Sequence, residues 1–167
     1  MKSQTIVFLV RHAQTSPAPN NDPSLYDRRI LNEEGRAQAK KIGEYLADFG
    51  IAKIYTSPTK RTQETADMIY HISGCSSEPV VEKKLNEIYN NAEFENIDKT
   101  GVSFIENIVR HNNGKQIVLV SHMLVIAELL KKLGADESEM QLPCQQGEMY
   151  RLVFAEDKFV ECQKISL

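Results

Sequence analysis

Two short, uninterrupted apolar runs set the frame for this chain: residues 5–10 (Thr-Ile-Val-Phe-Leu-Val) and 116–120 (Gln-Ile-Val-Leu-Val). Runs of β-branched and aliphatic residues with no polar residue at alternate positions are typical of strands covered on both faces of a parallel sheet. Both are therefore expected at a sheet centre. Residues 53–56 and 79–81 are weaker runs of the same kind, punctuated by Gly50, Pro58 and Gly74, and read as flanking strands.

The intervals between these runs carry helical periodicity. Asn32 can cap a helix whose apolar positions Ala39, Ile42, Leu46 and Phe49 recur every three or four residues until Gly50 stops it. A second helix is expected over 59–72. A third carries Phe104, Ile105, Ile108 and Val109 behind a Ser103-x-x-Glu106 capping box. A fourth follows residue 122, with Leu124, Val125, Ile126, Leu129, Leu130 and Leu133 before Gly134, apolar around most of its circumference and so expected to be buried. Residues 149–154 and 159–164 read as an antiparallel hairpin turning at 155–158, and the proline-rich stretch 16–27 as a surface loop. Strands alternating with helices predict a three-layer α/β fold, with a mostly parallel central sheet, helices on both faces and a C-terminal antiparallel hairpin. A length of 167 residues fits a single domain over 1–167.

Composition excludes several classes of function. The net charge of −3 gives no global positive field for nucleic acid or anionic lipid, so any anion site must be local. No apolar run approaches the length of a membrane helix, and Arg11 and His12 follow the first run too soon for a signal peptide. A cytoplasmic location is expected. Cys75, Cys144 and Cys162 are odd in number, far apart and in no CxxC spacing, and read as reduced thiols.

In open parallel sheets, ligands bind beyond the carboxyl ends of the central strands. Both strong strands end there in histidine, the first in Arg11-His12 and the other in Ser121-His122. His71 and His111 fall near helix ends and are given no role. Arg61 lies in the first turn of the second helix, where the dipole disfavours a cation unless an anion is near. Two arginines, two histidines and two helix N-termini describe a phosphate pocket, because guanidinium forks and helix amides both donate to phosphoryl oxygens. The competing reading is a metal held by His12 and His122 with Glu87 or Asp22. It is disfavoured by the adjacent arginines and by the absence of HxH or HxxxH spacing.

Four ordered blocks carry a resemblance: Leu9-Val-Arg-His-Ala13, Leu31-x-x-x-Gly35-x-x-Gln38-Ala39, Ser57-Pro58-x-x-Arg61-x-x-x-Thr65-Ala66, and Val118-x-Val120-Ser121-His122. Together they resemble the histidine phosphatase superfamily, or phosphoglycerate mutase-like fold, over residues 6 to about 133. Ala13, the short length and Met123-Leu-Val125 after His122 look closest to its small phosphohistidine phosphatase branch. The resemblance implies that His12 is a nucleophile taking the phosphoryl group, that Arg11, Arg61 and His122 hold it, and that no metal or cofactor is needed. It also implies a carboxylate proton donor after the third strand, where Glu87 stands, with Glu82, Glu93 and Glu95 as neighbouring alternatives. The chain continues Ile88-Tyr-Asn-Asn-Ala92, without the glycine-containing segment common after the acid.

The activity this implies is a phosphatase acting on a protein phosphohistidine or a small phosphate monoester. The alternatives are a mutase-type phosphotransferase and an inactive phosphate-binding module. The short length leaves little for a substrate-specific cap, so an open pocket is expected.

Overall fold

The computed structural model describes residues 3–167. Strand β1 (Gln4–Arg11) leads into a loop containing two short 3-10 turns, Pro19–Asn21 and Pro23–Arg28, and then into helix α1 (Glu33–Leu46). Next come β2 (Ile51–Thr56), α2 (Lys60–Ser73), the two-residue β3 (Val80–Val81) and the short α3 (Asn91–Glu95). A π-helical turn, Asp98–Val102, runs directly into α4 (Ser103–His111), which is followed by β4 (Gln116–Ser121), α5 (Met123–Leu133) and α6 (Glu137–Met140). Strands β5 (Met149–Ala155) and β6 (Lys158–Ile165) close the chain.

The sheet order is β3-β2-β4-β1-β5-β6. The first four of these strands are parallel, and β5 and β6 are added antiparallel. The two strongest apolar runs are indeed central neighbours, with Leu9 opposite Leu119 and Arg11 opposite Ser121. Successive side chains of a strand point to opposite faces, and this alternation divides each run between two cores. Val7, Leu9, Ile117 and Leu119 pack with Ile105, Val109, Val125 and Leu129 of α4 and α5. Phe8, Val10, Val118 and Val120 pack with Ile42, Leu46, Ala66 and Ile69 of α1 and α2. All eight strand residues are fully buried, each worth about 1.5–3 kcal/mol relative to exposure. The C-terminal hairpin turns through Glu156 and Asp157, both at positive φ (50° and 64°), the backbone that a two-residue turn needs to match the twist of its strands.

Three local expectations are corrected. Ser103 does not cap α4: its backbone is helical (φ −60°, ψ −31°) and its hydroxyl donates to the Asp98 carbonyl at 2.9 Å, because the helix continues from the π turn instead of starting there. The strand expected over 79–81 pairs only through Val80 and Val81, and both are half-exposed at the sheet edge. Helix α5 is not buried all round, since Leu124 in its first turn is 45% exposed. Among the described residues no helix is long and apolar enough to cross a membrane.

Candidate active site

The parallel register brings the carboxyl ends of β1, β4 and β2 to one rim. The His12 amide donates to Ser121 O (3.0 Å) and the Ser57 amide to Val120 O (3.0 Å), so the segments leaving the three strands are stitched together where they emerge. The Ala13 amide donates to Thr65 Oγ1 (3.1 Å), whose hydroxyl donates to the Arg61 carbonyl (2.8 Å), tying the first turn of α2 to the residue after His12. Gly35, in the first turn of α1, packs against Gln14. A side chain there would drive its Cβ into the Gln14 carbonyl oxygen, two residues from His12.

His12 is buried, and its Nδ1 lies 2.9 Å from the carbonyl oxygen of Ala13. A carbonyl only accepts, so Nδ1 carries the proton and Nε2 keeps its lone pair. Burial pushes the His12 pKa down to about 3, against the Ala13 hydrogen bond and with further lowering by His122, Arg61 and Arg11. His12 is therefore a neutral imidazole at ordinary pH. The unfolded chain takes up a proton near pH 6.5 that the folded His12 refuses until about 3. Its contribution to stability is thus fully present above about 6.5 and is lost as pH falls toward 3. Melting temperature is expected to fall from pH 7 to 4, less steeply in His12→Gln. Equal slopes would mean that His12 is not held neutral.

His122 is fully buried, with its ring centroid 5.5 Å from that of His12. Its Nε2 lies 2.7 Å from Ser57 Oγ, whose hydroxyl reaches Asn86 Oδ1 at 3.3 Å. Its Nδ1 faces both Arg61 Nη2 (3.2 Å) and Glu87 Oε2 (3.2 Å). Arg61 is fully buried: Nη2 also lies 3.5 Å from Glu87 Oε2, while Nη1 reaches Tyr26 O and Asp27 Oδ1, each at 3.3 Å. Arg11 Nη1 donates to Cys144 O at 2.7 Å. The Nε atoms of Arg11 and Arg61 are buried with no hydrogen-bond partner among the described residues, an arrangement that costs free energy unless an acceptor arrives.

Burial alone would raise the Glu87 pKa, but the hydrogen bond and charge of His122 and the charge of Arg61 outweigh it and hold the carboxyl below the ordinary glutamate value. Burial lowers His122 despite Glu87. In the free protein the Glu87 carboxyl and the His122 Nδ1 thus face each other at 3.2 Å, both against Arg61 Nη2. Added negative charge would draw a proton into that gap.

The structure brings together all five residues singled out in the sequence: Arg11, His12, Arg61, Glu87 and His122. Asp22 is instead an exposed loop cap, accepting from the Ser24 amide at 2.9 Å. Glu82 caps the Lys84 amide and Glu93 accepts from the Tyr89 amide (2.7 Å), so both are engaged away from His122, and Glu95 is exposed on α3. Among the described residues no group of three or more His, Cys, Asp and Glu side chains is placed to hold a metal ion. The three cysteines are free and buried, and burial pushes the Cys144 thiol up to about 12. Sequence reasoning missed the Cys144 and Ala13 carbonyls, Ser57 and Asn86 beside His122, and the Tyr26–Asp27 segment over Arg61. That segment meets the Nη1 side of Arg61 while Tyr26 and Asp27 themselves stay half-exposed. Thr65 and Ser57 stood inside the quoted motifs, the one signal that could have marked them.

The model of the histidine phosphatase superfamily (branch 1) matches residues 7–100. This chain belongs to that family. Among similar sequences, the uncharacterized phosphatase PhoE of Bacillus subtilis (strain 168) is 27% identical over 157 residues, covering 82% of this chain and 81% of PhoE. The probable phosphoglycerate mutase GpmB of Erwinia tasmaniensis is 33% identical over 82 residues, 49% of this chain and 37% of the mutase. The histidine phosphatase fold recurs in solved structures. A phosphoglycerate mutase from Bacillus anthracis has a TM-score of 0.79 at 18% identity, covering 95% of this chain and 92% of that one. The protein histidine phosphatase SixA complexed with tungstate has a TM-score of 0.74 at 14% identity, covering 95% and 96%.

Proposed function

We propose that this chain is a phosphatase that works through a phosphohistidine at His12, without a metal ion, on a protein phosphohistidine or a small phosphate monoester. The observation that carries this reading is the His12 imidazole, held by the Ala13 carbonyl so that Nε2 is a neutral nucleophile next to the buried His122 ring and the Arg61 guanidinium in contact with it. Nε2 attacks phosphorus, the bond from phosphorus to the leaving group breaks, and Glu87 delivers a proton to the departing atom. Water then attacks the phosphohistidine, Glu87 takes the water proton, the P–N bond breaks and His12 regains its lone pair. Arg11, Arg61 and His122 face the equatorial oxygens in both steps, where preorganised donors lower the barrier most.

Glu87 begins as a carboxylate, and the incoming phosphoryl dianion raises its pKa so that it arrives protonated for the first step. The three unpaired thiols fit a reducing compartment, and the cytoplasm is part of the proposal.

The central test mixes the protein with an aryl phosphate in chelator and quenches it in alkali. An acid-labile, alkali-stable phosphoenzyme is expected, and its absence during turnover, or loss of turnover on chelation, would overturn the mechanism. Glu87→Gln separates the substrate classes. Hydrolysis of an alkyl phosphate, whose alkoxide must be protonated, should slow by about 10²- to 10⁴-fold, and a phosphohistidine protein, with its better leaving group, by much less. Wild-type rates on both would remove Glu87 from the mechanism.

A further inference from the structure

The Arg61 guanidinium has two faces. Nη2 turns to His122 and Glu87, whereas Nη1 turns to Asp27, whose carboxylate lies 3.3 Å away and is 55% exposed. Asp27 also accepts a 2.6 Å hydrogen bond from the hydroxyl of Tyr89, two residues after Glu87. The loop after β1 and the segment after β3 are thereby joined beside Arg61, with Asp27 at its Nη1 edge and Glu87 at its Nη2 edge. Arg29, on the same loop, makes its hydrogen bonds to other partners: its guanidinium stacks 3.6 Å over the Tyr26 ring and donates to Tyr26 O (3.1 Å) and Thr15 Oγ1 (3.4 Å), while its charge still interacts with Asp27, Glu87 and Arg61. A phosphoryl group gripped by Arg61 would therefore have a fixed negative charge about one guanidinium width away, tied through Tyr89 to the segment that carries Glu87, the proposed proton donor to the leaving group.

We infer that Asp27 is a specificity-determining residue: held at the lip of the pocket by Arg61 and Tyr89, it favours phosphoryl groups whose leaving group is cationic or neutral and disfavours those bearing an anion next to the phosphoryl oxygen. This inference rests on reading the site as a phosphoryl pocket. Lys83 and Lys84 line an adjoining groove of about 620 Å³ beside Glu87. The selection that Asp27 exerts thus concerns charge borne next to the phosphoryl group, not at the far end of a long leaving group.

The test measures dissociation constants by calorimetry in the His12→Ala background, where turnover is suppressed, for three two-carbon esters: ethanolamine phosphate, ethyl phosphate and phosphoglycolate. Ethanolamine phosphate should bind most tightly and phosphoglycolate least. Adding Asp27→Asn, which keeps an acceptor for Tyr89 and removes the charge, should shrink the ratio between those two by about five- to tenfold, the size of one charge pair at the edge of water. Asp27→Lys should invert the order. A ratio that Asp27→Asn leaves unchanged, or an initial preference for phosphoglycolate, overturns the assignment. Failure to bind any of the three overturns it together with the phosphatase reading. The expected charge order in a wild-type protein that hydrolyses no phosphate overturns the phosphatase reading alone and upholds the role of Asp27.

Discussion

His12→Ala is expected to lower turnover of an aryl phosphate by about 10⁴-fold or more, while tungstate still raises the melting temperature of the variant. The two readouts separate because the proposed mechanism draws on different residues for phosphoryl transfer and for oxyanion binding. In that mechanism His12 Nε2 supplies the electron pair for phosphoryl transfer, and His122 is not placed to replace it, having its Nε2 on Ser57 and its Nδ1 against Arg61 and Glu87. Oxyanion binding is assigned in the proposal to Arg11, Arg61 and His122, and the buried Nε donors of both arginines have no partner among the described residues. Activity that survives the substitution would remove the nucleophile from the proposal. Loss of tungstate stabilisation in both wild type and variant would remove the pocket.

Arg61→Met is expected to reduce kcat/KM by about 10²- to 10³-fold, the effect of losing a preorganised donor to the developing charge, without lowering the melting temperature. The signs differ for a physical reason. Arg61 is fully buried, with one N–H unpartnered and a large desolvation cost, and methionine fills a similar volume without that cost. The carboxylates it leaves behind can be solvated, since Asp27 is 55% and Glu87 22% exposed at the side chain. Thermal unfolding and steady-state kinetics on one preparation decide the matter. A drop of more than about 4 °C, equivalent to at least about 1 kcal/mol for a chain of this size, would show that the ion pairs stabilise the fold on balance.

Legibility varied along the chain with the range of the interactions involved. β1, β4, α1 and α2 could be read because their patterns are local: unbroken apolar runs, an Asn32 cap whose side chain does accept from the Gly35 amide, and Gly50 and Gly74 at positive φ where the helical segments end. Ser103 misled because a capping box describes a helix starting from extended chain, and the π turn before α4 removes that condition. Residues 86–102 were nearly silent. Their short α3 and π turn rest on tertiary packing, as where Ile97 joins the α4–α5 core, and not on any period long enough to detect.

By itself the sequence determined the layered α/β class and the two strand ends that present Arg11-His12 and Ser121-His122, because strand burial and strand termination are written in neighbouring residues. Only the tertiary structure decided that Nδ1 of His12 rests on the Ala13 carbonyl, that Glu87 and not another glutamate reaches His122, and that Asp27 crosses to Arg61 and Tyr89. The last two depend on side chains of different segments meeting within about 3 Å. Such distances are set by how α2, the loop after β1 and the segment after β3 pack on the sheet, which no single stretch of the chain encodes.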